Sequence, residues 1–141
     1  MSSLEQLLGG PEIIGHAIRS EMDLHKLGRL GVTKKVLVTL AGNINMPLAA
    51  ISRMLHVTER TLQRKEDEDR LNGAVTEQIL QIAEVYARGS EVFDSTEDFQ
   101  AWITTSNRSL GNQKPIDLLS SRYGAKMVID ALGRIEYGVF S

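Results

Sequence analysis

The sequence has no cysteine, which excludes a disulfide framework and a thiolate zinc site. No window approaches the roughly 18 apolar residues of a membrane-spanning helix. No basic-then-apolar leader opens the chain, so a cytoplasmic protein with no membrane partner is expected. The net charge is only −2 over 141 residues. A nearly neutral chain does not hold nucleic acid by bulk attraction, so any such contact must come from a local patch. No stretch alternates apolar and polar residues convincingly at strand period, which points to an all-α fold. What is present, 42% apolar and 24% charged residues, is ordinary globular composition. The length suits one domain or two small helical subdomains sharing a core.

The constellations of an enzyme are also missing. His16, His25 and His56 do not pair at metal-ligand spacing. No glycine-rich phosphate loop precedes a helix and no nucleophile elbow occurs. Acids are plentiful, but no two recur as a pair on one apolar helix face. No catalytic residue, metal ligand or cofactor is expected, and the chain reads as a binder.

Apolar spacing supplies the helices. The opening, Met1 to Gly10, is expected to be loosely ordered or a short helix. From Thr33 to Ile44, Val36, Leu37, Leu40 and Ile44 recur at helical spacing, although Val36–Thr39 would also suit a strand. The next stretch, PLAAISRMLHVTERTLQRK, is sharper. Pro47 fits a first helical position, where its missing N–H costs nothing. Leu48, Ile51 and Leu55 share one face. Thr58 can cap a second helix, in which Thr61, Leu62 and Lys65 follow at helical spacing, and only His56 and Val57 separate the two. With the small Ser52 in the first helix, this is the arrangement of a helix-turn-helix. His56 stands where glycine is usual in that turn. Thr58, Glu59, Arg60, Gln63, Arg64 and Lys65 are the candidate DNA-contacting residues, because Arg and Gln read guanine and adenine edges. The acidic run Glu66–Asp69 reads as a solvated loop or helix end, or as a repulsive element that limits the docking angle on DNA.

Beyond it, Val75, Ile79, Ile82 and Tyr86 mark a long amphipathic helix. Ser95 and Asp98 resemble a capping box and open a short helix expected to bury Phe99, Trp102 and Ile103. NRSLGNQKP reads as a loop, and Pro115 starts another short helix with Ile116, Leu118 and Leu119. A last helix from about Gly124 turns Ala125, Val128, Leu132 and Ile135 inward. Outward it carries Lys126, Asp130 and Arg134 as an i,i+4 charge ladder. Gly138 suits the left-handed position that ends a helix. The chain then closes on Val139, Phe140 and Ser141, two of them apolar, where idle termini fray into small polar residues.

The second half of the chain resembles the toxin-binding domain of the Xre/MbcA/ParS antitoxins, partners of RES-domain toxins. The likeness rests on Asn107-Arg108 with Leu110-Gly111, Pro115 with Leu118-Leu119, Gly124, Val128 and Leu132, and Arg134-Ile135-Glu136-Tyr137-Gly138. The upstream TERTLQR resembles the Xre-type helix-turn-helix of that family, so the likeness covers roughly residues 33–141. It implies an all-α fold with an Xre-like helix-turn-helix region (31–73) and a helical toxin-binding domain (74–141); the N-terminal segment (1–30), outside the likeness, is expected to be partly helical. It implies a type II antitoxin that neutralises a RES-domain toxin, which degrades NAD or transfers ADP-ribose from it, with its C-terminal end over the toxin's active site. It also implies repression of its own operon, acting as a homodimer or a larger complex with the toxin. Arg134, Glu136, Tyr137, Gly138, Val139, Phe140 and Ser141 would then be toxin-binding residues. Apart from the likeness, a freestanding repressor whose C-terminal half only dimerises stays open.

Overall fold

A computed structural model of the chain describes residues 2–138. Among these, regular structure is helical apart from two isolated bridges, Thr33–Arg70 and Asn107–Gln113. The chain divides into two compact units, one ending at Ala83 and the other beginning at Glu84. The boundary falls inside a long helix.

The first unit holds α1 (Ser2–Leu7), α2 (Gly10–Ile14), α3 (Glu21–Leu30), α4 (Lys34–Asn43), α5 (Leu48–Met54), α6 (Glu59–Gln63) and the first half of α7 (Gly73–Val92). Its opening is packed rather than loose: Leu4, Leu8 and Ile14 are buried, and the Ile18 amide donates to Glu5 Oε2 at 2.6 Å. With them Leu27, Leu37, Leu40, Ile51, Leu62 and Ile79 form the core.

The Val36–Thr39 run is helix, and its N-terminal hydrogen bonds explain why. A helix leaves its first amides without internal partners. Here Lys34 N and Lys35 N donate to the carbonyls of Asp69 and Asp67 at 2.9 and 3.0 Å, and Val36 N donates to Thr33 Oγ1 at 3.3 Å. The acidic run is thus a turn whose backbone caps α4, closed on itself by Asp69 N to Glu66 O at 2.9 Å. Pro47 precedes the first turn of α5 as its N-cap, one residue earlier than the spacing suggested.

The second unit holds the rest of α7, α8 (Thr96–Ile103), 3₁₀ turns at Arg108–Leu110 and Pro115–Leu118, and α9 (Arg122–Glu136). The short helix expected at Pro115 is therefore 3₁₀, and the expected loop contains a 3₁₀ turn capped by Asn107. Ser95 caps α8 as expected, accepting from Asp98 N at 3.0 Å. Phe99 is buried against Tyr86 at 5.3 Å, edge to face, with Phe93 and Trp102 beside it.

Trp102 is half-buried, not buried. Phe99 and Ile103, four apart, take the inward line of an eight-residue helix, and Trp102 lies about 100° round from Ile103, on the flank. Phe99 approaches α7 at Gly89, where a Cβ would stand 2.2 Å from the ring. α9 starts two residues earlier than Gly124, capped by Ser121. Gly124 itself is buried, with the Leu118 carbonyl 2.0 Å from where a Cβ would lie. Ile135 is half-buried, since the core thins towards the end of α9. Of the charge ladder only Lys126–Asp130 forms, at 3.1 Å. Arg134 has no ion pair among the described residues, as suits exposed i,i+4 pairs worth a few tenths of a kcal/mol (about 0.2–0.5).

Candidate nucleic-acid and toxin interfaces

α4 and α5 are bent 112° from one another, and α6 follows α5 through a tight turn. His56 adopts φ +58°. Left-handed backbone is the conformation glycine makes easy, and among other residues histidine is one of the few enriched there. The missing glycine therefore does not break the motif. His56 N donates to Arg53 O at 3.2 Å and Val57 N to Ser52 O at 3.1 Å, which closes α5. Thr58 then caps α6: its Oγ1 accepts from Thr61 N at 3.0 Å and shares a hydrogen bond with the Thr61 hydroxyl at 2.7 Å.

Leu62 points into the core. Arg60, Gln63 and Arg64, at i, i+3 and i+4, fall on one side of a helix, and with Glu59 they are exposed. Among the described residues nothing pairs with the side chains of Arg60, Gln63 or Arg64, so two cations and one amide are free to meet a ligand. Thr58 is occupied as a cap. Lys65 is half-buried, and its carbonyl accepts from Lys34 Nζ at 2.8 Å, which ties the end of the second helix to the start of α4. No single helix among the described residues is long and apolar enough to cross a membrane.

The other candidate interface is the end of α9. Tyr137 N donates to Gly133 O at 3.2 Å, and Gly138 N to Ile135 O at 3.1 Å. Gly138 takes the left-handed conformation, φ +73°, which ends a helix and turns the chain away from its axis. Tyr137 is 79% exposed, and Arg134 is half-buried. Glu136 is engaged within the chain: Arg88 on α7 donates to it through Nη1 at 2.9 Å and Nη2 at 2.5 Å, and Glu91 stands 3.4 Å from the same guanidinium. The Arg88 hydrogen bonds hold the Glu136 carboxyl below the usual carboxylate range, and Glu136 in turn raises the Arg88 guanidinium. Val139, Phe140 and Ser141 lie outside the described residues.

Sequence reasoning missed Arg88, because nothing in the spacing links it to a residue 48 positions away. It also missed Tyr123 and Met127, exposed on α9. Their i,i+4 spacing was the available signal, and with Tyr137 at i+14 from Tyr123 they fall on one side of the helix.

A family model described as the antitoxin Xre/MbcA/ParS C-terminal toxin-binding domain matches residues 88–138. One described as the antitoxin Xre-like helix-turn-helix domain matches residues 23–84. The chain is 29% identical over 115 residues to the antitoxin Xre of Yersinia enterocolitica serotype O:8 / biotype 1B, covering 80% of this chain and 78% of that protein. The first match contains α9 and the Arg88–Glu136 pair; the second contains α5, α6 and the turn between them. The chain belongs to the Xre/MbcA/ParS antitoxins, with a helix-turn-helix DNA-binding domain followed by a toxin-binding domain, and acts in a toxin–antitoxin system.

Proposed function

We propose that this antitoxin neutralises a RES-domain toxin that consumes NAD by carrying its C-terminal segment into the toxin's active-site cleft, and that it represses its own operon through α6. DNA binding is assigned within residues 31–73 and toxin binding within 74–141. The observation that carries the first part is the end of α9. The helix stops at a left-handed glycine beside an exposed Tyr137, and the sequence still to come offers Val139 and Phe140. Phenylalanine makes a good anchor, with a large apolar area and only two rotatable bonds to order. On the DNA side, the unpaired Arg60, Gln63 and Arg64 supply donors for base edges. A palindromic operator would need at least a dimer, with recognition helices about 34 Å apart or a multiple of that.

The test is co-expression with a neighbouring gene for a RES domain, scoring growth rescue and NAD content. Deleting Val139–Ser141 should abolish protection of NAD, and Phe140→Ala should weaken toxin binding by about 2 kcal/mol or more. A truncated protein that protects NAD as well as the full chain would sink the occlusion reading. Arg60→Ala and Arg64→Ala should each weaken operator binding by about 1–3 kcal/mol while neutralisation survives.

A further inference from the structure

We infer that Arg88 is a positioning residue for the toxin-occluding segment, holding Glu136 so that the chain leaves α9 in one direction. The inference rests on the reading above that residues 139–141 enter the toxin.

The last turn of a helix is its weakest part, because its final carbonyls have no internal partners. In α9 that turn gets limited help from burial: Ile135 is half-buried and Tyr137 is exposed. What secures it is the fork of Arg88, two parallel N–H···O bonds at 2.9 and 2.5 Å from a residue 48 positions earlier. A bidentate guanidinium–carboxylate pair fixes orientation as well as distance. Glu136 is the last residue of α9, Tyr137 is its C-cap, and Gly138 turns the chain out. A rotation of the last turn would carry Tyr137 and Gly138 with it. Glu91, 3.4 Å from the same guanidinium, gives Arg88 a second reason to stay. Each Glu136 oxygen accepts one hydrogen bond from Arg88, so the guanidinium sets the orientation of the carboxylate.

Function and stability separate here. The side chains of Arg88 and Glu136 are 25% and 33% exposed, and pairs this accessible contribute little to global folding. Ordering a binding segment beforehand does change affinity, because the cost of ordering it is removed from the binding step.

The experiment titrates full-length protein against the toxin and reads NAD loss, with melting temperature as the control. The variants are Arg88→Ala, Arg88→Lys, Glu136→Ala, the double alanine, the swap Arg88→Glu with Glu136→Arg, and the deletion of Val139–Ser141. Arg88→Ala, Glu136→Ala and the double alanine should each weaken inhibition by about tenfold with near-native melting. The double should be no worse than either single, since both remove one contact. Arg88→Lys, which keeps charge but loses the fork, should also weaken it, and the swap should recover most of the loss. Several results overturn the inference: Arg88→Ala inhibiting like wild type, Glu136→Ala alone impairing inhibition, or the two single effects adding. A harmful deletion with a harmless Arg88→Ala brings down this inference alone. A harmless deletion brings down the occlusion reading and this inference with it.

Discussion

In the turn between α5 and α6 a histidine occupies backbone space that glycine would fill more easily. In the second unit two glycines, Gly89 and Gly124, stand where an added methyl would meet a phenyl ring and a carbonyl at 2.2 and 2.0 Å. The turn of the helix-turn-helix is organised by hydrogen bonds between near neighbours, such as Thr58 with Thr61 and Val57 with Ser52, and among the described residues Arg60, Gln63 and Arg64 have no side-chain partner. The toxin-binding unit is organised by close approach between distant segments, Phe99 onto Gly89 and the Leu118 carbonyl onto Gly124. A segment held by local backbone bonds tolerates change in side-chain volume. One held by interdigitation does not. Stability should therefore be more sensitive to substitutions at Phe99, Gly89 and Gly124 than at the exposed turn residue His56.

The largest effect is expected at Phe99. Its ring is buried between Tyr86, Phe93, Trp102 and Gly89, so Phe99→Ala leaves a cavity that a helix of eight residues cannot close. A loss of about 3–5 kcal/mol is expected, read by urea denaturation with Trp102 fluorescence, since Trp102 stacks on the same ring. A loss under about 1 kcal/mol would remove the basis of the comparison.

The same contrast governs what was legible in the sequence. The helix-turn-helix could be read because its determinants sit within a few residues: a capping threonine, apolar residues at i and i+3, a two-residue gap. The positions of Arg60, Gln63 and Arg64 on one outer face follow from spacing alone. α7 and the cap of α8 were legible for the same reason. The half-burial of Trp102, the second role of the acidic run as a cap for α4, and the Arg88–Glu136 fork were not, because each depends on a partner that only tertiary folding brings near. At the end of α9 the stop at Gly138 was readable, and the occupation of Glu136 by Arg88 was not.

Next in size is an alkaline effect confined to the aromatic cluster. Burial pushes the Tyr86 hydroxyl up to about 12, against about 10 in an unfolded chain. Below pH 10 both states keep the proton and stability is unaffected. As pH rises from 10 towards 12 the unfolded state ionises first, so stability falls, by up to about 3 kcal/mol. Tyr86→Phe should lose this slope while other alkaline losses remain. An unchanged slope between pH 9 and 11 in that variant would show that Tyr86 is not its source.

Gly124→Ala follows. Alanine is the better helix former by about 1 kcal/mol, so propensity alone predicts a gain in α9. The Leu118 carbonyl, at 2.0 Å from the added methyl, is backbone and cannot rotate aside, so a net loss of about 1–3 kcal/mol is expected. Thermal unfolding followed by circular dichroism decides the sign. A stabilised Gly124→Ala protein would mean that the 3₁₀ turn at Pro115–Leu118 yields freely, and would sharpen the contrast down to Gly89 alone.

The smallest effect belongs to the helix-turn-helix. At φ +58° His56 carries backbone strain that glycine would not, so His56→Gly should leave stability within about 1 kcal/mol of wild type. His56→Val puts a β-branched side chain in left-handed space and should cost about 1–2 kcal/mol. His56 is exposed, so neither change opens a cavity, and the Thr58 cap on α6 stays in place. Operator binding should follow the same order, near normal for glycine and weaker for valine, because the turn sets the angle at which α6 presents Arg60, Gln63 and Arg64. The measurement is a pair of denaturation curves with an operator gel shift at one fixed salt concentration, since phosphate contacts make DNA affinity salt-dependent. If His56→Val costs as much as Phe99→Ala, the turn is as tightly determined as the aromatic cluster, and the distinction between a locally bonded turn and an interdigitated cluster fails.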